Sequence, residues 1–115
     1  MTDLKGKKVL VVGSGISGIG SAGLLEDNGA IPVIYDGNEK AVEADIRAKL
    51  KTGSKAEIII GAFPESIIDD ITLAVLSPGV PTDLDFVIAI RNKGISVWGE
   101  VELAYNFGKG RVLAM

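Results

Sequence analysis

The stretch of sequence that decides the fold is Val9-Leu10-Val11-Val12-Gly13-Ser14-Gly15-Ile16-Ser17-Gly18. Its first four residues are apolar and mostly β-branched, which is typical of a strand that is buried on both faces of a sheet. The next six residues fit the pattern G-x-G-x-x-G, and a segment with helical spacing of apolar residues follows them. A buried strand, a glycine turn and a helix in this order indicate the first unit of a doubly wound α/β domain.

The same alternation of strand and helix continues along the chain. Strands are predicted over residues 9–12, 31–35, 57–61, 72–76 and 95–98, and residues 111–115 begin one more apolar run. Helices are predicted over residues 16–28, 39–51, 83–93 and 99–107, with a short helical or irregular crossover over 64–70. Because these connections are too long for hairpins, the strands should be parallel, with helices on both faces. We expect a Rossmann-like, five-stranded sheet in the order 3-2-1-4-5.

Composition and charge exclude several classes of function. The chain has 115 residues, the size of one ordinary domain, and it contains no histidine or cysteine. Disulfides, Cys/His zinc sites, cysteine nucleophiles and Ser-His-Asp triads are therefore excluded, and we predict no catalytic residue and no metal ligand in these residues. The formal net charge of −3 argues against nucleic acid or an anionic membrane surface as a partner. No targeting or membrane-spanning segment is recognisable, so we expect a cytoplasmic protein.

The glycine motif predicts a phosphate-binding loop. Gly13 permits a sharp turn, Gly15 lets the backbone approach a ligand, and Gly18 lets the helix pack close to the sheet. The backbone N–H groups of Ile16, Ser17 and Gly18 are expected to point at an anion, which the helix dipole also attracts. In the competing interpretation the glycines only allow tight packing between strand and helix. The position of the motif in the first strand–helix unit favours phosphate binding.

Two further segments are expected at the same edge of the sheet. Asp36 ends the second strand, where the acid of a Rossmann site receives ribose hydroxyls and other sites meet a base or sugar. Alternatively, its carboxylate accepts N–H groups of the turn that follows. The loop Ser77-Pro78-Gly79-Val80-Pro81 ends the fourth strand. In the expected strand order it is either the second wall of a ligand cleft or a plain rigid turn.

Four sequence blocks carry a resemblance to a known family. They are VVGSGISG (11–18), YD (35–36), LSPGVP (76–81) and VWGEVELA (97–104), and the resemblance covers essentially the whole chain. Together they resemble the N-terminal domain of the Mur ligases, in particular the MurD branch, which adds D-glutamate during peptidoglycan synthesis. The blocks LSPGVP and VWGEVELA are more specific than the glycine loop.

The resemblance implies a domain that holds the UDP part of the substrate UDP-MurNAc-L-alanine. By position, Ile16 and Ser17 would meet the diphosphate. Asp36, with its two following residues, would meet the uracil, and Gly79 would contact the nucleotide from the other side. The residues predicted to bind UDP are Gly13, Gly15, Ile16, Ser17, Gly18, Asp36, Gly37, Asn38, Ser77, Pro78 and Gly79.

The resemblance also implies where the chemistry of the whole enzyme takes place. ATP and Mg²⁺ would serve a central domain, where an acyl phosphate forms before D-glutamate attacks, and a C-terminal domain would complete the enzyme. We therefore expect residues 1–115 to be a single substrate-binding domain of a longer protein, without a cofactor or ligase activity of its own. Two alternatives stay open. One is an NAD(P)-binding module of an oxidoreductase or sensor, because the glycine motif with Asp36 fits that too, and the other is a scaffold with a vestigial loop.

Overall fold

A computed structural model describes residues 5–13, 15–50, 53–77, 80, 83–99, 102, 103 and 105, with the backbone alone at Ile16 and Ser17. Within this part of the chain, five strands form one sheet in which every neighbouring pair is parallel. The order along the sheet is β3-β2-β1-β4-β5, which confirms the predicted doubly wound, Rossmann-like arrangement. The strands are β1 (Lys8–Val12), β2 (Ile31–Asp36), β3 (Glu57–Ile60), β4 (Ile71–Leu76) and β5 (Ser96–Gly99).

The helices connect consecutive strands. They are α1 (Ile16–Asp27), α2 (Glu43–Lys49) and α3 (Asp85–Asn92), and a 3-10 helix (Glu65–Asp69) lies between β3 and β4. The β1 strand lies at the centre of the sheet, where it pairs with β2 on one side and β4 on the other. From β1 the chain adds β2 and β3 on one side, and it then returns to add β4 and β5 on the other side of β1. The carboxyl ends of β1 and β4 therefore form the switch point.

The sheet separates two hydrophobic cores. Along β1, Val9 and Val11 face the first core, while Leu10 and Val12 face the second, as the two-residue period of a strand requires. The first core contains Ala22 and Leu25 of α1, Ile46 of α2 and the buried Leu103; the second contains Ile68 of the 3-10 helix and Val87 and Ile90 of α3. Both faces of the sheet are therefore covered, as predicted for a parallel sheet.

The α2 helix is shorter than the sequence predicts. It begins at Glu43, whereas helical spacing predicted a start at residue 39. The side chain of Asp36 accepts the N–H of Asn38 at 2.9 Å, and the side chain of Asn38 accepts the N–H of Lys40 at 3.0 Å. These side chains bind backbone N–H groups locally, in turns that compete with the helix, so the chain turns twice before α2 begins.

The remaining boundaries differ from the predictions by one or two residues, with one exception at the end of the chain. Gly99 ends β5 and does not begin a helix. Of the helix predicted over 99–107, Glu102, Leu103 and Tyr105 are helical, and the other positions after Gly99 lie outside the described residues, as does the apolar run at 111–115. No helix among the described residues has the length and apolar character needed to cross a bilayer.

Two isoleucines of α3 test how the second core stabilises the fold. Ile90 is fully buried and Ile88 is 44% exposed on the same helix. We expect Ile90→Ala to lower the free energy of unfolding by about 2–5 kcal/mol, because it leaves a cavity, and Ile88→Ala to change it by less than about 1 kcal/mol. Urea denaturation followed by circular dichroism measures both. Equal losses in the two variants would contradict the placement of α3.

Candidate nucleotide cleft at the switch point

The glycine loop leaves the sheet at the point where three strands end. The N–H of Gly13 donates to the carbonyl of Tyr35 at 2.8 Å, and the N–H of Ser77 donates to the carbonyl of Val12 at 3.1 Å. Gly13 itself has φ +109°, a conformation that side-chain-bearing residues rarely adopt. The chain therefore turns sharply after β1 while it remains bonded to β2 and adjacent to β4.

Gly18 lets α1 approach this loop closely. A Cβ atom at Gly18 would lie 1.9 Å from the carbonyl oxygen of Gly13, a distance that the backbone cannot tolerate. A Cβ atom at Gly13 would in turn lie 2.7 Å from the Oγ of Ser77. Gly18 is thus needed for close packing and Gly13 for the sharp turn, as predicted, and Ser77 lies directly against Gly13.

The N-terminus of α1 carries no side chain that would neutralise it. The N-cap is Gly15, which makes no side-chain hydrogen bond, and the first turn contains no acidic residue. The first α-helical hydrogen bond runs from the N–H of Ile19 to the carbonyl of Gly15 at 3.0 Å. The preceding N–H groups of Ile16, Ser17 and Gly18 therefore have no acceptor within the helix. Space is open around the Cα of Gly15, where a Cβ would have no neighbour within 4 Å.

Asp36 lies at the end of β2 and is half-buried. Its Oδ1 accepts the N–H of Asn38, so the hydrogen bond of the alternative turn interpretation is present. Its carbonyl oxygen accepts the N–H of Gly61 at 2.9 Å, which holds the end of β2 against the segment that follows β3. These contacts fix the position of the carboxylate at the edge of the sheet.

A cleft of about 310 Å³ lies at this edge. It is lined by Val12, Gly13, Tyr35, Asp36, Gly37, Val80, Leu84 and Phe86. Three of the predicted site residues, Gly13, Asp36 and Gly37, therefore border one space, and Val80 belongs to the loop predicted as its second wall. Gly18 and Ser77 lie behind Gly13, and Asn38 is not a lining residue. The predicted Pro78 and Gly79 lie outside the described residues, as do the side chains of Ile16 and Ser17.

Sequence reasoning missed the aromatic side of the cleft. Tyr35, Phe63 and Phe86 form one cluster, here called the aromatic group. The rings of Phe63 and Phe86 stack with centroids 4.5 Å apart, and Tyr35 meets them edge-on at 5.2 and 5.4 Å. The helical spacing of apolar residues predicts only that Phe86 lies on the buried side of α3. Its position in the first turn of that helix is the signal that it also borders the strand ends.

The hydroxyl of Tyr35 anchors the aromatic group to the backbone. It donates a hydrogen bond to the carbonyl oxygen of Gly61, across from β2 to the end of β3. Burial, and to a lesser degree the neighbouring Asp36 carboxylate, raise the pKa of Tyr35 above its ordinary value. The phenol therefore stays protonated at neutral pH and keeps donating.

The topology and the cleft define a class of protein: a doubly wound α/β domain with a glycine loop and a mainly apolar cleft at its switch point. A family model described as "Mur ligase MurD-like, N-terminal domain" matches residues 7–99, which is most of the chain. The chain belongs to this family, as its sequence blocks predicted.

Curated relatives agree with the family model. The chain is 54% identical to a UDP-N-acetylmuramoylalanine--D-glutamate ligase of Lachnospira eligens, over 98% of this chain and 25% of that protein. Enzymes of the same name from Lachnoclostridium phytofermentans and Clostridioides difficile are 47% and 39% identical, over 96% of this chain and 24% of each protein. The chain thus spans about a quarter of the length of these relatives. A solved shikimate dehydrogenase from Aquifex aeolicus aligns with a TM-score of 0.49 and 16% identity, over 96% of this chain and 52% of that one, too low a similarity to support an argument.

Two glycines of α1 test the close packing at the loop. Gly18→Ala should lower the free energy of unfolding by about 2 kcal/mol or more, because the new methyl group overlaps the Gly13 carbonyl. Gly20→Ala should raise it by about 1 kcal/mol, since its Cβ would have no neighbour within 4 Å and alanine favours helix. Chemical denaturation of both variants measures the difference. A harmless Gly18→Ala would contradict the geometry of the loop.

Proposed function

We propose that this chain binds the UDP part of UDP-MurNAc-L-alanine, as the substrate-holding domain of a ligase that adds D-glutamate. The observation that carries the proposal is the convergence of three segments on one cleft: the glycine loop after β1, Asp36 after β2, and the apolar wall that begins at Val80. Each segment suits a different part of a nucleoside diphosphate, and membership in the MurD-like family supports this choice of ligand.

The diphosphate suits the N-terminus of α1. Its charge would be stabilised by the first-turn N–H groups, which have no acceptor within the helix, and by the helix dipole, which no acidic side chain of that turn opposes. Gly15 leaves room for the phosphates to approach the backbone, because it presents no side chain.

The uracil suits the opposite end of the cleft. Among the described lining residues, Asp36 carries the one charged side chain, and a carboxylate repels phosphate but accepts hydrogen bonds from a neutral N–H group such as uracil N3–H. The apolar side chains of Val80, Leu84 and Phe86 exclude water from the faces of a planar ring. Charge and shape therefore orient the ligand in one direction.

The remaining chemistry is proposed for the parts of the relatives that this chain does not span. ATP and Mg²⁺ would act there in forming the amide bond, and the enzyme would act in the cytoplasm. Among the described residues, no cluster of three or more acidic side chains is placed to hold a metal ion, so we derive no step through Mg²⁺ from this domain. Its role is to bind and orient the substrate.

Amide chemical shifts of the ¹⁵N-labelled chain test the proposal directly. Titration with UDP or UDP-MurNAc-L-alanine should shift the amides of Ile16 and Ser17, which would meet the diphosphate, and those of Asp36, Gly37 and Gly79, which would meet the nucleoside. NAD, added separately, should leave them unchanged at the same concentration. Saturation by NAD at a lower concentration than UDP would identify the dinucleotide module instead. The absence of shifts with every ligand would reject nucleotide binding by this chain.

A charge placed at the helix N-terminus tests the position of the diphosphate. Ser17→Asp should weaken UDP binding roughly tenfold or more, because the carboxylate would repel the phosphates at short range. The same substitution should stabilise the fold by about 0.3–1 kcal/mol, because an acid in the first turn complements the helix dipole. Calorimetric titration and urea denaturation measure the two effects.

The matched control is Ser17→Asn, which has nearly the same size as the aspartate variant without its charge. Its affinity for UDP should stay close to that of the unaltered chain. Since the charged variant is expected to be the more stable one, unfolding cannot explain its weaker binding. Unchanged affinity in Ser17→Asp would place the diphosphate elsewhere.

A further inference from the structure

We propose that Phe86 determines specificity for a flat, aromatic base by stacking against it in the cleft. The inference rests on the proposed function, since it concerns how the nucleoside end of the same ligand is held. It assigns to the first turn of α3 a role that the glycine loop and Asp36 cannot supply, because neither recognises the face of a ring.

The position of Phe86 supports this role. It is the second residue of α3, it is half-buried, and it lines the cleft between the strand ends and Leu84. One face of its ring is covered by Phe63, which is not itself a lining residue. A base that enters the cleft can therefore add to the stack only on the face of Phe86 away from Phe63.

The ring is also held in place before any ligand arrives. Phe63 lies nearly parallel to it, at 21°, and Tyr35 contacts it edge-on at 72°. Tyr35 is 7% exposed and is tied through its hydroxyl to the Gly61 carbonyl. A wall that is fixed in this way loses little freedom when a base packs against it, so more of the stacking energy contributes to affinity.

The charges around Phe86 indicate which part of the ligand it meets. Asp85 precedes it in the first turn of α3 and complements the dipole of that helix, whereas the first turn of α1 has no acid. Asp36 lines the same cleft. Phosphate is therefore disfavoured beside Phe86 and favoured at α1, which leaves the uncharged, planar base as the part that fits against the ring.

The test compares UDP with 5,6-dihydrouridine diphosphate, whose base keeps N3–H and both carbonyls but is neither aromatic nor flat. The unaltered chain should bind UDP about tenfold more tightly, which is the size of one base–aromatic stack. In Phe86→Leu, which keeps an apolar side chain without a ring, the two ligands should bind equally. Ile88→Ala, an exposed position on the same helix, should keep the full preference.

A second measurement follows the resonances of the ligand itself. The ring current of Phe86 should move the H5 and H6 proton resonances of bound UDP upfield in the unaltered chain, and this shift should disappear in Phe86→Leu. The ratio of the affinities for UDP and 5,6-dihydrouridine diphosphate could instead be the same in the unaltered chain and in Phe86→Leu, with the protons of bound UDP unshifted. That result would overturn the role of Phe86 while UDP binding stands. Failure of the unaltered chain to bind UDP would instead overturn the proposed function, and this inference with it.

Discussion

The contact between Gly18 and the carbonyl of Gly13 is the constraint on which the site depends. It brings α1 closer to the end of β1 than any side chain at position 18 would permit. Ser77 lies against Gly13 from the end of β4, so Gly13 has close neighbours in both α1 and the segment after β4. The first turn of α1, whose N–H groups have no acceptor within the helix, is therefore held close to the end of β1, where Gly13 lines the cleft.

The same edge receives the beginnings of two helices with different electrostatic character. The first turn of α1 has no acid, while that of α3 contains Asp85, and Asp36 lies at the end of β2 on the same edge. A helix N-terminus favours an anion by about 0.3–1 kcal/mol at an exposed site. An acidic side chain in the first turn already interacts with the helix dipole, so that end attracts a bound anion less strongly. The two acids and the helix N-terminus without one thus give the cleft a direction, with an end for anions and an end for a neutral ring.

The fold was predictable from sequence because its signals are local and repeated. Each buried strand is a short apolar run, each is followed by a segment with helical spacing, and only a parallel sheet with helices on both faces accommodates that order. The early start predicted for α2 was wrong because the spacing of apolar residues gives no information about polar side chains that accept nearby backbone N–H groups. Asp36 and Asn38 do so here. The turn at Gly13 and the close packing at Gly18 were predictable, since each of these glycines meets a steric requirement that the motif itself contains.

The aromatic group was not predictable, because it joins residues 35, 63 and 86, which only the sheet order brings together. Tyr35 and Phe86 belong at once to the second core and to the edge of the cleft: Tyr35 is buried, and Phe86 packs against that core beside Phe63. Gly13 and Gly37 contribute only backbone to the same cleft. A change on the aromatic side therefore alters packing and the shape of the cleft together, so stability and recognition are coupled there through the same rings.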